Sequence, residues 1–449
     1  MLRRKIQKIL EEYFRNGSNK ILIISGARQI GKSFIIRQEG KKHFKNFIEI
    51  DLIEDKNGKG VFANVSTKED FYLRLSSFAG ERMKEGEKTL IFLDEIQAYP
   101  QLLTLLKFLK ADNRFTYIVS GSLLGLALKQ TLSKPGGSIE VMQMYQLDFE
   151  EFLWANGVGE DFIEHIKNCF ENRISVTPDI HKIILDLFKK FLLVGGLPDA
   201  VNSYIQTHNI VNVRSAQKEV YQLYKGDAGQ YDTLHKLAIE RIYELVPSYL
   251  ENKKKRVVYN SIEGKKNARS EQYTEEFEYL SKSGICNEVR AVANPKFPLI
   301  ESEEKNLLKL YLNDTGLLTR ILYQNNISAI MDDTLSLNLG AVYEQVVCSE
   351  LTCHGFPLFY YHNKKKGEVD FLIDDYNTLS AVPIEIKSGK DVTRHASLTK
   401  FVNNADYNIK QAFVLSNDNR VRIEGKITYM PIYYVMFFTP YATKGSMLF

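Results

Sequence analysis

Gly26-Ala27-Arg28-Gln29-Ile30-Gly31-Lys32-Ser33 places two glycines, a lysine and a hydroxyl in the order G-x-x-x-x-G-K-[ST]. Glycines let a backbone wrap closely enough for its N–H groups to hold phosphate oxygens. The Lys32 ammonium would neutralise the outer phosphates, and the Ser33 hydroxyl is a ligand for Mg2+. At ordinary residue usage such an octamer arises by chance about 0.02 times in a chain of this length. The candidate nucleotide contacts are therefore Gly26, Ala27, Arg28, Gln29, Ile30, Gly31, Lys32 and Ser33, with Phe34 directly after them.

Two further groups fit the same chemistry. Leu90-Ile91-Phe92-Leu93 is an apolar run ending in Asp94-Glu95. Asp94 would hold Mg2+ through water, and Glu95 would accept a proton from the attacking water; the plainer alternative is an exposed strand end. Tyr117-Ile118-Val119 ends in Ser120-Gly121-Ser122, which places Ser120 to touch the outermost phosphate or that water, or else to cap a strand-helix junction. ATP and Mg2+ are the expected cofactors.

A second constellation lies near the C-terminus. In Glu368-Val369-Asp370-Phe371-Leu372-Ile373 and Pro383-Ile384-Glu385-Ile386-Lys387-Ser388-Gly389, the strand period of two puts Glu368 with Asp370 on one face and Glu385 with Lys387 on one face. A hairpin through Asp374-Asp375-Tyr376-Asn377 can bring Asp370, Glu385 and Lys387 together, and Glu344, on a helix upstream, could add an acid.

The elements that must position these groups are readable in outline. Leu2, Ile6, Ile9, Leu10 and Tyr13 recur at helical spacing. Ile21–Ile24 is an unbroken apolar run, as in a strand buried on both faces of a parallel sheet, and similar runs follow at 47–50, 89–93, 117–119 and 141–144. With helical stretches between them, they predict repeated βαβ units ending near Trp154. Residues 156–245 are dominated by helical patterns broken at Gly195-Gly196-Leu197-Pro198. A basic stretch, the helix 274–283 and a short strand at 289–292 then suit a winged helix, and mixed α/β material follows Asp314-Thr315-Gly316.

The chain has 449 residues, 44% hydrophobic and 25% charged, which excludes a disordered or low-complexity protein and predicts about three domains. A net charge of +4 indicates no polyanion partner by itself, so a nucleic-acid signal must be local. It is local: between Lys253 and Arg269 stand seven bases (Lys253, Lys254, Lys255, Arg256, Lys265, Lys266, Arg269) and one acid, Glu263. These could hold DNA phosphates by counterion release, as could Lys364-Lys365-Lys366; solvated loop charge is the alternative. Four scattered cysteines, no secretory signal and no apolar stretch of membrane length point to a cytoplasmic protein without membrane contact. The eight histidines show no metal-ligand spacing.

Gly-x-Arg-Gln-x-Gly-Lys, Leu-Asp-Glu, Ser-Gly-Ser, Leu147-Asp148-Phe149-Glu150-Glu151-Phe152-Leu153, Gly195-Gly196-Leu197-Pro198 and Lys309-Leu310-Tyr311-Leu312-Asn313-Asp314-Thr315-Gly316-Leu317-Leu318 together resemble a large group of prokaryotic ATPases. These join an AAA-type, archaeal-ATPase-like P-loop domain to a C-terminal domain of unknown function. Some relatives carry an arginine finger after the sensor strand; this chain has Gly136-Gly137-Ser138 there and no arginine between Arg114 and Arg173, so Arg28, Arg114 or a partner would have to supply the charge. Asp370 and Glu385-x-Lys387 also resemble the PD-(D/E)xK core of restriction-endonuclease-like proteins. That resemblance implies Mg2+ on Asp370 and Glu385, with Lys387 orienting a water.

The expected fold is α/β: a P-loop ATPase domain at 1–155, a helical lid at 156–245, a winged-helix-like domain at 246–322 and a PD-(D/E)xK nuclease-like domain at 323–449. The first functional expectation is an ATPase whose nucleotide state controls a nuclease-like domain acting on DNA. The second is an ATP-dependent switch with a C-terminal domain that binds without cutting, and the third is a homo-oligomeric motor.

Overall fold

Each buried apolar run becomes a parallel strand. Ile21–Ser25 (β1), Asn46–Asp51 (β2), Thr89–Asp94 (β3), Thr116–Gly121 (β4) and Ile139–Gln143 (β5) form a five-stranded sheet in the order β2-β3-β4-β1-β5. All of β1 and β3 is buried, as an interior parallel strand requires, whereas the edge strand β5 leaves Val141 47% exposed. The helix Gln101–Asp112 buries Leu102, Leu103, Leu105, Leu106 and Leu109 in the core on one face of this sheet. In a parallel sheet all C-terminal strand ends share one edge. The loop after β1, Asp94 at the end of β3 and Ser120 near the end of β4 therefore meet there.

The computed structural model describes residues 2–83, 88–124, 137–231, 235–252, 255–264, 267–332, 339–363, 367–388 and 396–440. They divide into two compact units, one made of 3–145 with 281–285, the other of 146–280 with the residues from 286 on.

The second unit holds an eight-stranded sheet. Its strands are Cys286–Val292 (β6), Glu303–Leu312 (β7), Phe359–Asn363 (β8), Gly367–Asp375 (β9), Ser380–Lys387 (β10), Ala412–Ser416 (β11), Arg422–Glu424 (β12) and Ile427–Pro431 (β13), in the order β12-β13-β11-β10-β9-β8-β6-β7. β8, β9 and β10 run antiparallel in turn, while β10, β11 and β13 run parallel. The strand expected at 289–292 forms within β6 and pairs with β7, yet β6 also pairs in parallel with β8. It is thus part of this sheet and does not stand as a wing of its own.

The described part of residues 156–245 is mostly helical, as its periodicity requires, in the helices Glu160–Glu171, Pro178–Val194, Pro198–Thr207, Ile210–Tyr231 and Lys236–Glu251. They lie in the same unit as the eight-stranded sheet. The Arg214 guanidinium, 6% exposed, donates to the carbonyls of Leu193 (2.9 Å) and Gly316 (3.2 Å), and the Gln217 amide to those of Leu193 (3.0 Å) and Val194 (2.9 Å). The helix Phe149–Ala155 belongs here too. Asp148 caps it by accepting from the Glu151 N–H at 2.9 Å, and Phe149 packs edge-on to Phe188.

Two sequence motifs 118 positions apart meet in this unit. The Gly196 N–H donates to Asp314 Oδ2 at 2.6 Å, and the Leu317 N–H to Oδ1 at 3.1 Å. Burial pushes the Asp314 carboxyl up to about 6 against the pull of these N–H groups. Gly195 ends its helix at φ 71°, ψ −166°, a region essentially closed to other residues, and a Cβ there would stand 2.2 Å from Asp314 Oδ1. Gly195→Ala is expected to destabilise this unit by about 2–4 kcal/mol, the strained backbone adding to the clash. A lowered urea midpoint for that variant checks it; an unchanged midpoint contradicts it.

Candidate functional site

The loop between β1 and the helix Lys32–His43 is built on left-handed backbone: Gln29 at φ 61°, Gly31 at φ 92°, and Gly26 at φ 150°, where a Cβ would lie 2.2 Å from the Met144 carbonyl oxygen. Arg4 braces the loop from below, its guanidinium donating to the carbonyls of Ile30 (3.1 Å) and Tyr145 (2.7 Å). Ile30 is buried and anchors the turn, Arg28 is half-buried, and Gln29 and Phe34 are exposed. Lys32, only 4% exposed, donates to the carbonyls of Gly26 (3.0 Å) and Ala27 (2.8 Å). Burial pulls its ammonium down from the ordinary lysine value, opposed by Glu95 and Asp94 and aided by Arg28.

Asp94 and Ser33 meet at this edge. Burial raises the Asp94 carboxyl, while hydrogen bonds from the Ser120 and Ser33 hydroxyls hold it down and Glu95 and Asp51 raise it further. Glu95 leaves β3 in a left-handed conformation, φ 56°, so its side chain departs from the strand's alternation. The Ser122 hydroxyl donates to Glu95 Oε2 at 3.1 Å, and the Gln97 amide donates both to that carboxylate and to Ser122 Oγ (3.0 Å). The structure therefore brings together Lys32, Ser33, Asp94, Glu95 and Ser120, and adds Arg4, Gln97 and Ser122, which the sequence did not single out. Ser122 had one signal, its place in Ser-Gly-Ser after a buried strand.

The two arginine candidates separate. Arg114 lies over the rings of Tyr72 and Phe115 at 5.2 and 5.5 Å, just before β4, so the length of the strand, roughly 20 Å, parts it from Ser120. Arg28 is close enough to oppose the Lys32 charge. Arg37 was not foreseen: it forms a two-pronged pair with Glu49 at 2.8 and 2.5 Å and feels the Asp94 charge. Gly136 lies outside the described residues.

In the second unit the strand alternation works as expected. Antiparallel pairing of β9 with β10 brings Asp370 beside Glu385, and the Ile386 N–H donates to Asp370 Oδ2 at 2.8 Å. Burial, then Glu385 and Glu344, hold the Asp370 carboxyl well above its ordinary range. Glu344 projects from the helix Gly340–Cys353 and accepts from Tyr311 Oη at 3.1 Å and from Lys255. Lys387 donates to Glu385 Oε1 at 2.8 Å. Lys309, fully buried, pairs with Glu368 at 2.7 Å and sits 4.6 Å from the Tyr360 ring centre. Burial alone would lower the Lys309 ammonium, but Glu344, Glu368 and Asp370 leave it raised.

Glu344, Asp370, Glu385 and Lys387 thus gather at one place, together with Lys255, Lys309 and Tyr311. Their donor set does not fit a metal ion as it stands. Each of Glu344, Glu368 and Glu385 carries a lysine, and among the described residues no three His, Cys, Asp or Glu side chains are arranged to hold one. Of the basic run, Lys255 and Arg256 turn inward, Arg256 toward the Tyr360 hydroxyl, and Arg269 is exposed. Lys253, Lys254, Lys265 and Lys266 lie outside the described residues, as do Lys364-Lys365-Lys366 and Gly389. Among the described residues no helix is long and apolar enough to cross a membrane, and none of the four cysteines is in a disulfide.

Residues 18–153 match a family model described as an AAA domain. Residues 185–328 and 339–435 match two domains of unknown function, DUF8612 and DUF4143. An uncharacterized protein of Methanocaldococcus jannaschii, MJ1544, is 24% identical over 365 residues, covering 79% of this chain and 72% of its own. Among solved structures, the Walker-type ATPase PABY2304 of Pyrococcus abyssi is similar at a TM-score of 0.42 and 15% identity, over 71% of this chain and 95% of that one. The Aeropyrum pernix Orc1 protein in complex with DNA is similar at 0.31 and 12%, over 75% and 95%. The matched domain and the parallel sheet agree: the N-terminal unit carries an AAA-type P-loop domain, and ATP is its ligand class.

Proposed function

We propose that this chain is a cytoplasmic, Mg-dependent ATPase whose nucleotide state controls a C-terminal nuclease-like domain acting on DNA. The observation that supports the first half is the convergence of Lys32, Ser33, Asp94, Glu95 and Ser120 at one sheet edge, inside the segment that matches an AAA domain.

In this reading the backbone N–H groups of Gly26 to Ser33 bind the phosphates, and Lys32 swings its ammonium from the Gly26 and Ala27 carbonyls onto them. Phe34 stands exposed beside the nucleotide. Ser33 and Asp94 would hold Mg2+: a hydroxyl and a carboxylate already joined by a hydrogen bond are hard oxygen donors, and they suit an ion that keeps most of its water. When bound, that ion neutralises charge on the phosphates. Glu95, its Oε2 held by Ser122 and Gln97, takes the proton of the attacking water on Oε1, and Ser120 fixes Asp94. With Arg114 at the far end of its strand, Arg28 is the charge available within the chain. A finger is worth about 10³–10⁵ in rate, so turnover without a partner is slow, which suits a switch.

For the second half, Asp370, Glu385 and Lys387 on paired strands with Glu344 on a neighbouring helix support a PD-(D/E)xK-like core, in which β6 and β7 extend the nuclease-like sheet. One observation favours the binding-only alternative: the acids of this core are already paired with lysines. Cleavage of labelled duplex, single-stranded and branched DNA in millimolar Mn2+, with and without ATP, separates the two. The nuclease reading expects cleavage that falls at least about 100-fold in Asp370→Ala. No cleavage by the wild type, with ATP binding intact, leaves the non-cutting switch.

A further inference from the structure

Among the described residues the C-terminal core gathers the carboxylates Glu344, Glu368, Asp370 and Glu385, with the ammoniums of Lys255, Lys309 and Lys387 among them. Two of these lysines are strand residues fixed by the sheet. Lys309 lies on β7, and Lys387 ends β10, two places from its partner Glu385. Lys255 differs. It comes from the chain just beyond the helix Lys236–Glu251 and reaches across 89 positions to Glu344, a side chain only 6% exposed.

Its backbone is held to do so. Lys255 has φ 46°, a left-handed conformation that a lysine adopts at a cost and keeps only where its surroundings over-determine it. Those surroundings are on both sides. The Lys255 N–H donates to the Asn252 carbonyl at 3.0 Å, Arg256 lies near enough to Tyr360 for its charge to act on the hydroxyl, and the Val257 N–H donates to the Leu308 carbonyl at 3.0 Å with Val257 itself buried. Lys255 is therefore docked onto β7 and into the acid cluster and is not a solvated loop charge.

We infer that Lys255 is a tethered cation occupying the acid cluster at Glu344 in place of a divalent metal, so that the core is closed to metal while this lysine is docked. The inference rests on the nuclease-like reading of this core. The charges support it. Lys255 lies on Glu344, Lys309 on Glu368 and Lys387 on Glu385, so each of these carboxylates already holds a cation, and of the three lysines Lys255 alone is not a strand residue. Two cations confined near Glu344 and Asp370 would also repel one another at short range, so docked lysine and bound metal exclude each other.

The test is equilibrium Mn2+ binding to the full, nucleotide-free chain by titration calorimetry, with melting temperature in Mn2+ as a second readout. Lys255→Met is expected to bind one more Mn2+ than wild type, or to bind it at least about tenfold more tightly, and to gain melting temperature in Mn2+ where wild type gains none. Lys255→Arg, which keeps the cation, is expected to behave as wild type; it remains informative if the methionine variant folds poorly. Adding Asp370→Asn to Lys255→Met should remove the gained site. Equal Mn2+ affinity in wild type, Lys255→Met and Lys255→Arg overturns the inference while leaving a metal-binding core. Tight binding to Lys255→Arg overturns it as well. Absence of Mn2+ binding from a folded Lys255→Met overturns the nuclease-like reading itself, and the inference with it.

Discussion

Glu95→Gln is expected to bind ATP with wild-type affinity and to hydrolyse it about 10²–10⁴-fold more slowly, the usual worth of a positioned general base. The separation of binding from turnover follows from where Glu95 stands. The phosphate-binding loop follows β1 and the Ser33 hydroxyl lies at the start of the next helix, whereas Glu95 follows β3 and departs from it at φ 56°. Its carboxylate accepts hydrogen bonds from Ser122 and Gln97, and the loop feels it as a charge at Lys32. Glutamine keeps the volume and an oxygen that can accept from Ser122, but it offers no site for the proton of an attacking water. A filter-binding isotherm and a single-turnover time course, run on the same preparation, read the two quantities apart. Unchanged turnover would remove Glu95 from the chemistry.

Lys32→Ala is expected to fail one step earlier. A hydrogen bond from a charged donor is worth about 1.5–3 kcal/mol, and Lys32 would give more than one to the phosphates, so the loss in ATP affinity should be at least about 100-fold. Part of the effect is structural. In the nucleotide-free chain the same ammonium donates to the carbonyls of Gly26 and Ala27, and its removal leaves both without that donor in a buried loop, at about 1–3 kcal/mol for an unsatisfied buried group. The melting temperature without nucleotide should therefore fall, and the rise that ATP gives the wild type through its affinity for the folded state should vanish. An ATP-induced rise as large in the variant as in the wild type would contradict the assignment.

The reach of the sequence can be argued from these residues. Glycine-rich loops and buried strands are local patterns, so Gly26 to Ser33, Asp94, Glu95 and Ser120 are legible wherever the apolar runs end. What holds them is not local. Arg4 meets Tyr145 across 141 positions and Gln97 meets Ser122 across 25, and neither residue carries a periodic signal. The C-terminal acids were legible for the same reason as the strands, a period of two, and so was Lys387 beside Glu385, but the counter-ions Lys255 and Lys309 were not. Lys255 read as one of seven bases facing DNA, since composition records a charge without its partner, and its partner is 89 residues away.

Domain limits follow the same rule. The helices of 156–245 were read correctly as helices, whereas their membership of the second unit depends on hydrogen bonds such as Arg214 to the Gly316 carbonyl, 102 positions apart. The parallel pairing of β6 with β8 joins residues 290 and 359, a distance no hairpin signal spans.

The most direct measurement is single-turnover phosphate release from ATP by the wild-type chain alone, at saturating Mg2+ and without DNA or a protein partner, with Glu95→Gln beside it. The convergence of Lys32, Ser33, Asp94 and Glu95 predicts slow release that requires Mg2+ and is lost in the variant. Bound ATP that yields no phosphate in the wild type, or release at the same rate in both, would contradict it.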